Sequence, residues 1–265
     1  MRLRWSEWIT IAYFVYLATA AAAVRGRGGH RRRVVAVAVA VVSAVLAISW
    51  LGVLAVLRDW MPLVYVVVGY WLPALLVTDT NPAFERTLLR LDHRWLGTQG
   101  AMTLRGRAPR ALIGALELAY LFCYPMVPIG FASLYGAGLR EETDRFWTAV
   151  LLAVFGCYGV LPWLPTRPPR AIEGEPASPG VIRRLNLQLL GRASIQLNTF
   201  PSGHAAASAA TALAVSARLP TVGLALGLLA FGIAVGSVIG RYHYAADALA
   251  GVLLGLVGFL MSRLV

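Results

Sequence analysis

The chain has 265 residues, of which 58% are hydrophobic and 14% charged, and its mean hydropathy is +0.68. An ordinary soluble domain has roughly 45–50% apolar and about 25% charged residues, so this composition excludes that class of protein. The net charge of +12 comes from 24 arginines, with no lysine, against 12 acidic residues. In a membrane protein such an excess reflects topology or lipid phosphate, and we expect no nucleic-acid partner.

Apolar runs dominate the chain and predict membrane helices. A helix of about 20 residues crosses the hydrocarbon core, so the sequence predicts an all-α, polytopic transmembrane helical bundle of about eight spans. The predicted spans are 8–24, 34–57, 63–77, 111–137, 146–164, 203–217, 221–240 and 245–260. Trp5, Glu7 and Trp8 are typical of an interfacial anchor, so we expect the first span to be retained rather than cleaved as a signal peptide.

The segments between the spans differ in character. Arg58, Asp59 and Pro62 are expected to interrupt the chain between the second and third spans. Residues 79–110 are polar but carry apolar residues at near-helical spacing, which predicts an amphipathic helix in the membrane interface. Residues 165–200 predict a long loop rich in Arg, Pro and Gly. Small residues every four positions in the last three spans predict close helix packing.

Two of the four histidines lie where apolar helices are predicted to begin. His204 ends the segment Pro201-Ser-Gly-His204, at the start of the sixth predicted span. The first N–H groups of a helix have no partner inside it, and together with the helix dipole they bind anions. Gly203 lets a phosphate approach the backbone, so this segment is typical of an anion site.

The second histidine, His243, lies four residues before Asp247, so both occupy one helical face. A carboxylate that binds one imidazole nitrogen leaves the other nitrogen free to act as a nucleophile. One histidine near a helix end is usually a capping or interfacial residue. Two of them, with a carboxylate and nearby arginines, favour catalysis.

Pro201-Ser-Gly-His204 followed by His243-x-x-x-Asp247 resembles the type 2 phosphatidic acid phosphatase and haloperoxidase superfamily. The resemblance implies a six-helix phosphatase-type core, with residues 1–62 as additional transmembrane helices and 63–265 as the catalytic membrane domain. It implies phosphoryl transfer without a metal or other cofactor, in which His243 attacks phosphorus. Asp247 would orient His243, and His204 would protonate the leaving oxygen.

The resemblance also implies a set of phosphate-binding groups. Ser202 and the Gly203 amide would hold phosphate oxygens. The usual first motif, a Lys followed by Arg-Pro, is replaced by Leu164-Pro-Thr-Arg-Pro-Pro-Arg170, which offers Arg167 and Arg170.

A second departure from the family pattern lies before the nucleophile. The usual arginine six residues before His243 is Ser237 here, and Arg241 is expected to supply the charge. These departures, together with Tyr242 and Tyr244, are similar to the branch that contains inositol phosphorylceramide and sphingomyelin synthases. Members of that branch pass a phosphoryl headgroup to a lipid alcohol rather than to water.

Other polar residues leave alternatives open. Glu117, inside the fourth predicted span, is either a substrate contact or an interhelical hydrogen-bond partner. Arg183, Arg184 and Arg192 either bind a lipid headgroup or face solvent. Charge bias between the loops places the site in the cytoplasm. The resemblance implies the opposite, an extracytoplasmic site in a bacterial plasma membrane, which we favour because arginines that bind phosphate are not topology signals.

The sequence therefore predicts a phosphatase or phosphotransferase whose partners are the lipid bilayer and a membrane lipid phosphate. The pattern selects neither one lipid nor an oligomeric state. A lipid transporter and a catalytically inactive scaffold are the alternatives. Glu117 and the prolines in spans three and four favour the transporter, and the missing first-motif lysine favours the scaffold.

Overall fold

The computed structural model describes residues 3–24, 28–51, 55–98, 100–174, 180–197 and 200–265. All regular elements within these ranges are helices, which confirms the all-α prediction. The α-helices are α1 (Trp5–Ala23), α2 (Gly28–Leu51), α3 (Ala55–Trp71), α4 (Pro82–Leu96), α5 (Gly100–Arg107), α6 (Arg110–Leu121), α7 (Met126–Gly136), α8 (Thr143–Tyr158), α9 (Pro169–Glu173), α10 (Val181–Ala193), α11 (Gly203–Ser216), α12 (Pro220–Ile239) and α13 (Ala245–Ser262). Short 3-10 helices, Pro73–Leu76 and Arg140–Glu142, follow α3 and α7.

Several of these helices have the length and composition of membrane spans. Within the described ranges, four pass that test: Gly29–Leu51, Ala55–Leu76, Pro220–Ile239 and Ala245–Ser262. A fifth span results if α6 and α7 are counted as one bent pair. Helices α8 and α11 occupy predicted spans but have 16 and 14 residues, fewer than the roughly 20 that cross a bilayer. The chain is thus an integral membrane helical bundle, and the count of about eight spans stays a prediction.

The fourth predicted span, 111–137, consists of two helices, α6 and α7, instead of one. Helices α6 and α7 are bent by 68° at the residues between them. Pro125 lies directly before α7, and Pro128 lies within its first turn. Proline has no N–H to donate and crowds the preceding turn, so an undisturbed helix cannot continue through this segment.

Two further expectations about the connections are wrong. Arg58, Asp59 and Pro62 lie inside α3 instead of interrupting the chain. The segment 165–200 contains the helices α9 and α10 instead of being a bare loop, and its residues 175–179 and 198–199 lie outside the described ranges. The buried face of α10 includes Arg183 and Asn186, so apolar periodicity does not reveal this helix.

Helix α8 lies at the centre of the bundle and packs against α1, α3, α11 and α13. Helices α11 and α13 approach each other closely, as the small residues predict. A Cβ placed on Gly251 would lie 2.4 Å from the backbone oxygen of Ser202. This contact brings the beginnings of α11 and α13, and with them the two histidine segments, to the same end of the molecule.

Candidate active site

The start of α11 presents the first histidine. Ser202 is the N-cap, and its side chain accepts a 3.4 Å hydrogen bond from the Ala205 amide. His204 is the second residue of the helix and is half-buried. The Ser202 amide donates to the backbone oxygen of Asp247 at 2.9 Å, so the segments predicted to act together are joined through the backbone.

The second histidine lies in the tight connection between α12 and α13. The amides of Tyr242 and His243 both donate to the carbonyl of Ser237, at 2.8 and 3.0 Å. Arg241 has φ +60, in the left-handed region, which reverses the chain at this point. Helix α13 then begins at Ala245, so Asp247 lies in its first turn. His243 lies just before the helix, which corrects the prediction that both residues occupy one helical face.

The two imidazoles meet at short range. His243 Nδ1 is 3.2 Å from Asp247 Oδ2, and Asp247 is fully buried. The other nitrogen, His243 Nε2, is 3.4 Å from His204 Nδ1. With Nδ1 directed to the carboxylate, Nε2 is left to react, and it faces the second imidazole. The geometry suits a nucleophile, a group that orients it, and a proton donor beside it.

Aromatic rings and one arginine form the pocket around the histidines. Tyr70, Tyr120 and Tyr242 line it, together with Arg170. The rings of Tyr120 and Tyr242 are stacked, with centroids 4.0 Å apart, and Arg170 Cζ lies 5.3 Å from the centroid of Tyr242. The structure therefore brings Arg170 to the histidines. Sequence reasoning missed Tyr70 and Tyr120, because no spacing in the chain links α3 and α6 to the histidine segments.

Arg167 forms an ion pair with Glu85 of α4. Its Nη2 lies 2.7 Å from Glu85 Oε2, and its amide donates to Oε1 at 2.8 Å. Burial alone would raise the pKa of Glu85, but the hydrogen bonds from Arg167 outweigh it and hold that pKa below its usual value. The backbone oxygen of Arg167 accepts from the hydroxyl of Tyr244 at 2.9 Å. Arg167 is not among the described residues that line the histidine pocket.

Arg241 also lies away from the histidine pocket. It is 2% exposed, and its guanidinium donates to Glu173 Oε2 at 2.6 Å and to the backbone oxygen of Gly174 at 2.7 Å. It lines a separate small pocket together with Asp92 and His93. In this geometry Arg241 anchors the connection that carries His243.

Glu117 joins several segments beside the site. It is 3% exposed. Its Oε1 accepts from Arg105 and Arg183 at 2.7 and 2.8 Å, and its Oε2 accepts from the Tyr242 hydroxyl and Asn186 at 2.6 and 3.0 Å. The interhelical alternative for Glu117 is therefore the one that the structure shows. Arg183 is 1% exposed, which excludes the solvent-facing alternative for that residue.

Among the described residues, no group of three or more His, Cys, Asp or Glu side chains is arranged to hold a metal ion. Comparison with known protein families finds a match to the model of the PAP2 superfamily over residues 86–261. That range begins in α4 and includes both histidine segments. Comparisons with curated proteins and with solved structures give no match.

Proposed function

Because the chain belongs to the PAP2 superfamily, whose members are generally phosphatases or phosphotransferases, we propose that it transfers the phosphoryl group of a membrane lipid phosphate through a phosphohistidine. The observation that carries the proposal is the alignment of Asp247, His243 and His204, with contacts of 3.2 and 3.4 Å. The membrane-spanning helices around the site favour a lipid as the substrate.

In the first half-reaction, His243 Nε2 attacks phosphorus while the bond from phosphorus to the leaving oxygen breaks. His204 gives its proton to that oxygen, so the product leaves as an alcohol. Asp247 accepts the hydrogen bond from Nδ1–H and stabilises the positive charge that develops on the ring. Seating a phosphoryl group between the two nitrogens requires them to separate from their 3.4 Å contact.

In the second half-reaction, an acceptor hydroxyl attacks the phosphohistidine. His204, now neutral, takes the proton of the acceptor, and the N–P bond breaks to restore His243. Water as the acceptor gives a phosphatase, and a lipid alcohol gives a phosphotransferase like those of the inositol phosphorylceramide synthase branch. Both acceptors use the same first half-reaction.

Charge on the transferred group is stabilised by Arg170 and by the beginning of α11. Arginine binds phosphate oxygens bidentately, and the amides at a helix N-terminus favour an anion. A Cβ on Gly203 would lie 2.5 Å from the Tyr158 ring, so a residue without a side chain is needed for the beginning of α11 to pack against Tyr158. Ser202 contributes as the cap that holds this turn. Arg167 and Arg241 support the same site from its periphery, through Tyr244 and the connection before His243.

The test uses purified protein in EDTA with a panel of lipid phosphates, followed by phosphate release and by mass spectrometry of the lipids. We expect His204→Ala and His243→Ala each to lower kcat by at least about 10³-fold, because each removes a group that takes part in bond making or proton transfer. His30→Ala, in α2, is the matched control and keeps full activity. Retained turnover in either site variant contradicts the proposal.

The same assay with and without added lipid alcohols identifies the acceptor. Phosphate release alone assigns hydrolysis, and phosphorylation of the added lipid alcohol assigns transfer. If no substrate is turned over but lipid still crosses the bilayer in both histidine variants, the transporter alternative replaces the enzyme.

A further inference from the structure

A cavity of about 680 Å³ lies beside the histidine pocket, between the α5–α6 segment and the beginning of α10. Arginine side chains line it together with aliphatic ones: Arg105, Arg110, Arg183, Ile113, Val181 and Ile182. Pockets that bind small ligands have volumes of about 300–1,000 Å³. The cavity is therefore large enough for a headgroup with the first part of its acyl chains.

The lining has an excess of positive charge. Arg105 Nη1 and Arg183 Nη1 both donate to the same oxygen of Glu117, at 2.7 and 2.8 Å. One buried carboxylate is thus shared between two guanidinium groups. Arg110, which is exposed at the rim, adds a further positive charge. Walls of low polarity concentrate the field of such charges and attract an anion.

The surroundings of the cavity are apolar and exposed. Val181 is 64% exposed, and Ile113 and Ile182, which also line the cavity, are partly exposed. Exposed aliphatic residues next to arginines are typical of the membrane interface, where acyl chains end and phosphate headgroups begin. A ligand that satisfies both parts of the lining has an anionic phosphate and a hydrocarbon portion.

We propose that this cavity binds the phosphate-bearing headgroup of an anionic membrane lipid, at a site separate from the histidine pocket. Arg105 and Arg110 bind the phosphate, and the aliphatic residues contact the adjoining chains.

A residue of the cavity lining also contacts the segment between α12 and α13 that carries His243. Glu117 Oε2 accepts the hydroxyl of Tyr242 at 2.6 Å, and Tyr242 directly precedes His243. A phosphate that draws Arg105 towards itself changes the charge balance around Glu117 and so alters the group that holds Tyr242. An effect of the bound lipid on turnover follows from this contact and rests on the proposed function, whereas the binding itself does not.

The test measures binding to the catalytically disabled full-length chain, His243→Ala, so that no substrate is consumed. Dioleoylphosphatidylglycerol and dioleoylphosphatidylcholine are titrated separately into the protein in neutral detergent and followed by native mass spectrometry. We expect tighter binding of the anionic lipid. Arg105→Gln and Arg110→Gln should each weaken that binding roughly tenfold, because each removes a charge-assisted contact to phosphate. Arg107→Gln, an exposed arginine of the same helix that does not line the cavity, should change it less than about twofold.

Equal binding of the two lipids overturns the proposal, as does an equal loss in the Arg107→Gln control. If Arg105→Gln does not fold, Arg110→Gln at the exposed rim decides the outcome. Competition by inorganic phosphate supports recognition of the phosphate group, and binding of inorganic phosphate without binding of the anionic lipid overturns the lipid assignment. Because binding is read in a variant without catalysis, its failure is distinguishable from failure of the histidine assays.

Discussion

Each ring nitrogen of His243 has a separate partner, which assigns the two nitrogens different roles. Nδ1 contacts a fully buried carboxylate of Asp247, and Nε2 contacts His204. The carboxylate therefore fixes both the ring orientation and the tautomer that leaves Nε2 unprotonated.

Replacing Asp247 by Asn tests this role. Asparagine keeps the shape of the side chain but lacks the negative charge that supports the imidazolium, so we expect kcat to fall by about 10²–10⁴-fold. Phosphate release from the lipid substrate measures the effect. Asp79→Asn, the same substitution at an exposed position, is the control. Equal activity of Asp247→Asn and the wild type contradicts the orienting role.

Residue patterns predicted the reactive groups but not the residues that hold them. His243 and Asp247 are only four residues apart, so the sequence alone predicts that they are in contact. The connection between α12 and α13 is held by distant acidic residues. These contacts are Glu173 to Arg241, Glu117 to Tyr242, and Asp92 to the Ala245 amide. The sequence does not predict them, because the two residues of each contact lie far apart in the chain.

At the scale of elements, the close approach of α11 and α13 fixes the distance between the histidines. A Cβ on Gly255 would lie 2.7 Å from the backbone oxygen of Ala206, whereas a Cβ on Gly227 of α12 would have nothing within 4 Å. The first glycine is required for packing, and the second is not.

Substituting alanine at these two glycines tests the packing. Gly255→Ala forces the two helices apart, and we expect it to destabilise the protein by about 1–3 kcal/mol and to lower activity, since the histidine segments separate with the helices. Gly227→Ala should leave both properties near wild type. Thermal unfolding in detergent and the phosphate-release assay measure them. Equal behaviour of the two variants would show that the helix contact is not limiting.

The contact between α4 and α13 makes stability depend on pH. Burial raises the pKa of Asp92 from 3.8 to about 6, although the Ala245 amide donates to it. The folded state thus binds more protons than the unfolded state between these two pH values, and its stability falls as the pH rises through them. Asp92→Asn removes this loss.

We therefore expect the apparent Tm of Asp92→Asn to rise relative to the wild type between about pH 4 and pH 6, and the difference to be constant at higher pH. Thermal unfolding measured across pH 4 to 8 gives the comparison. A difference that does not vary with pH would show that Asp92 titrates alike in the folded and unfolded chains.

Elements with strong apolar character were predictable, and those with mixed character were not. Helices α12 and α13 follow their apolar runs closely, because burial in lipid or protein is encoded residue by residue. Apolar periodicity does not predict helix α10, because its buried face includes Arg183 and Asn186, which form hydrogen bonds to Glu117 of another helix. The break between α6 and α7 follows from proline chemistry, but its 68° angle depends on packing.

At the scale of the whole molecule, one buried ion-pair cluster, centred on Asp59, lies away from the histidines. Asp59 and Tyr70 lie on α3, and Tyr70 lines the histidine pocket. At 1.5 Å per residue they are about 16 Å apart along the helix. Asp59 is fully buried and pairs with Arg4 and Arg140 at 2.8 and 2.6 Å. This cluster joins α1, α3 and the segment before α8, far from the reacting groups.

We expect that removing the charge of Asp59 lowers the stability of the protein but leaves its catalytic rate unchanged. Asp59→Asn leaves two arginines without their buried partner, and we expect a loss of about 1–3 kcal/mol in stability. The kcat of the folded fraction should be unchanged, because no histidine contact is involved. Thermal unfolding and phosphate release on the same preparation, with Asp79→Asn as the control, measure both. A large fall in kcat without a fall in stability contradicts this division.

The sequence by itself determined the membrane character, the apolar runs of α12 and α13, and the pairing of His243 with Asp247, because each depends on composition or on a short spacing along the chain. Only the tertiary structure decided which arginine accompanies the histidines. Arg170 lies in their pocket, while Arg167 and Arg241 are held by Glu85 and Glu173. That choice depends on carboxylates brought from distant helices, and no local pattern records where such partners meet.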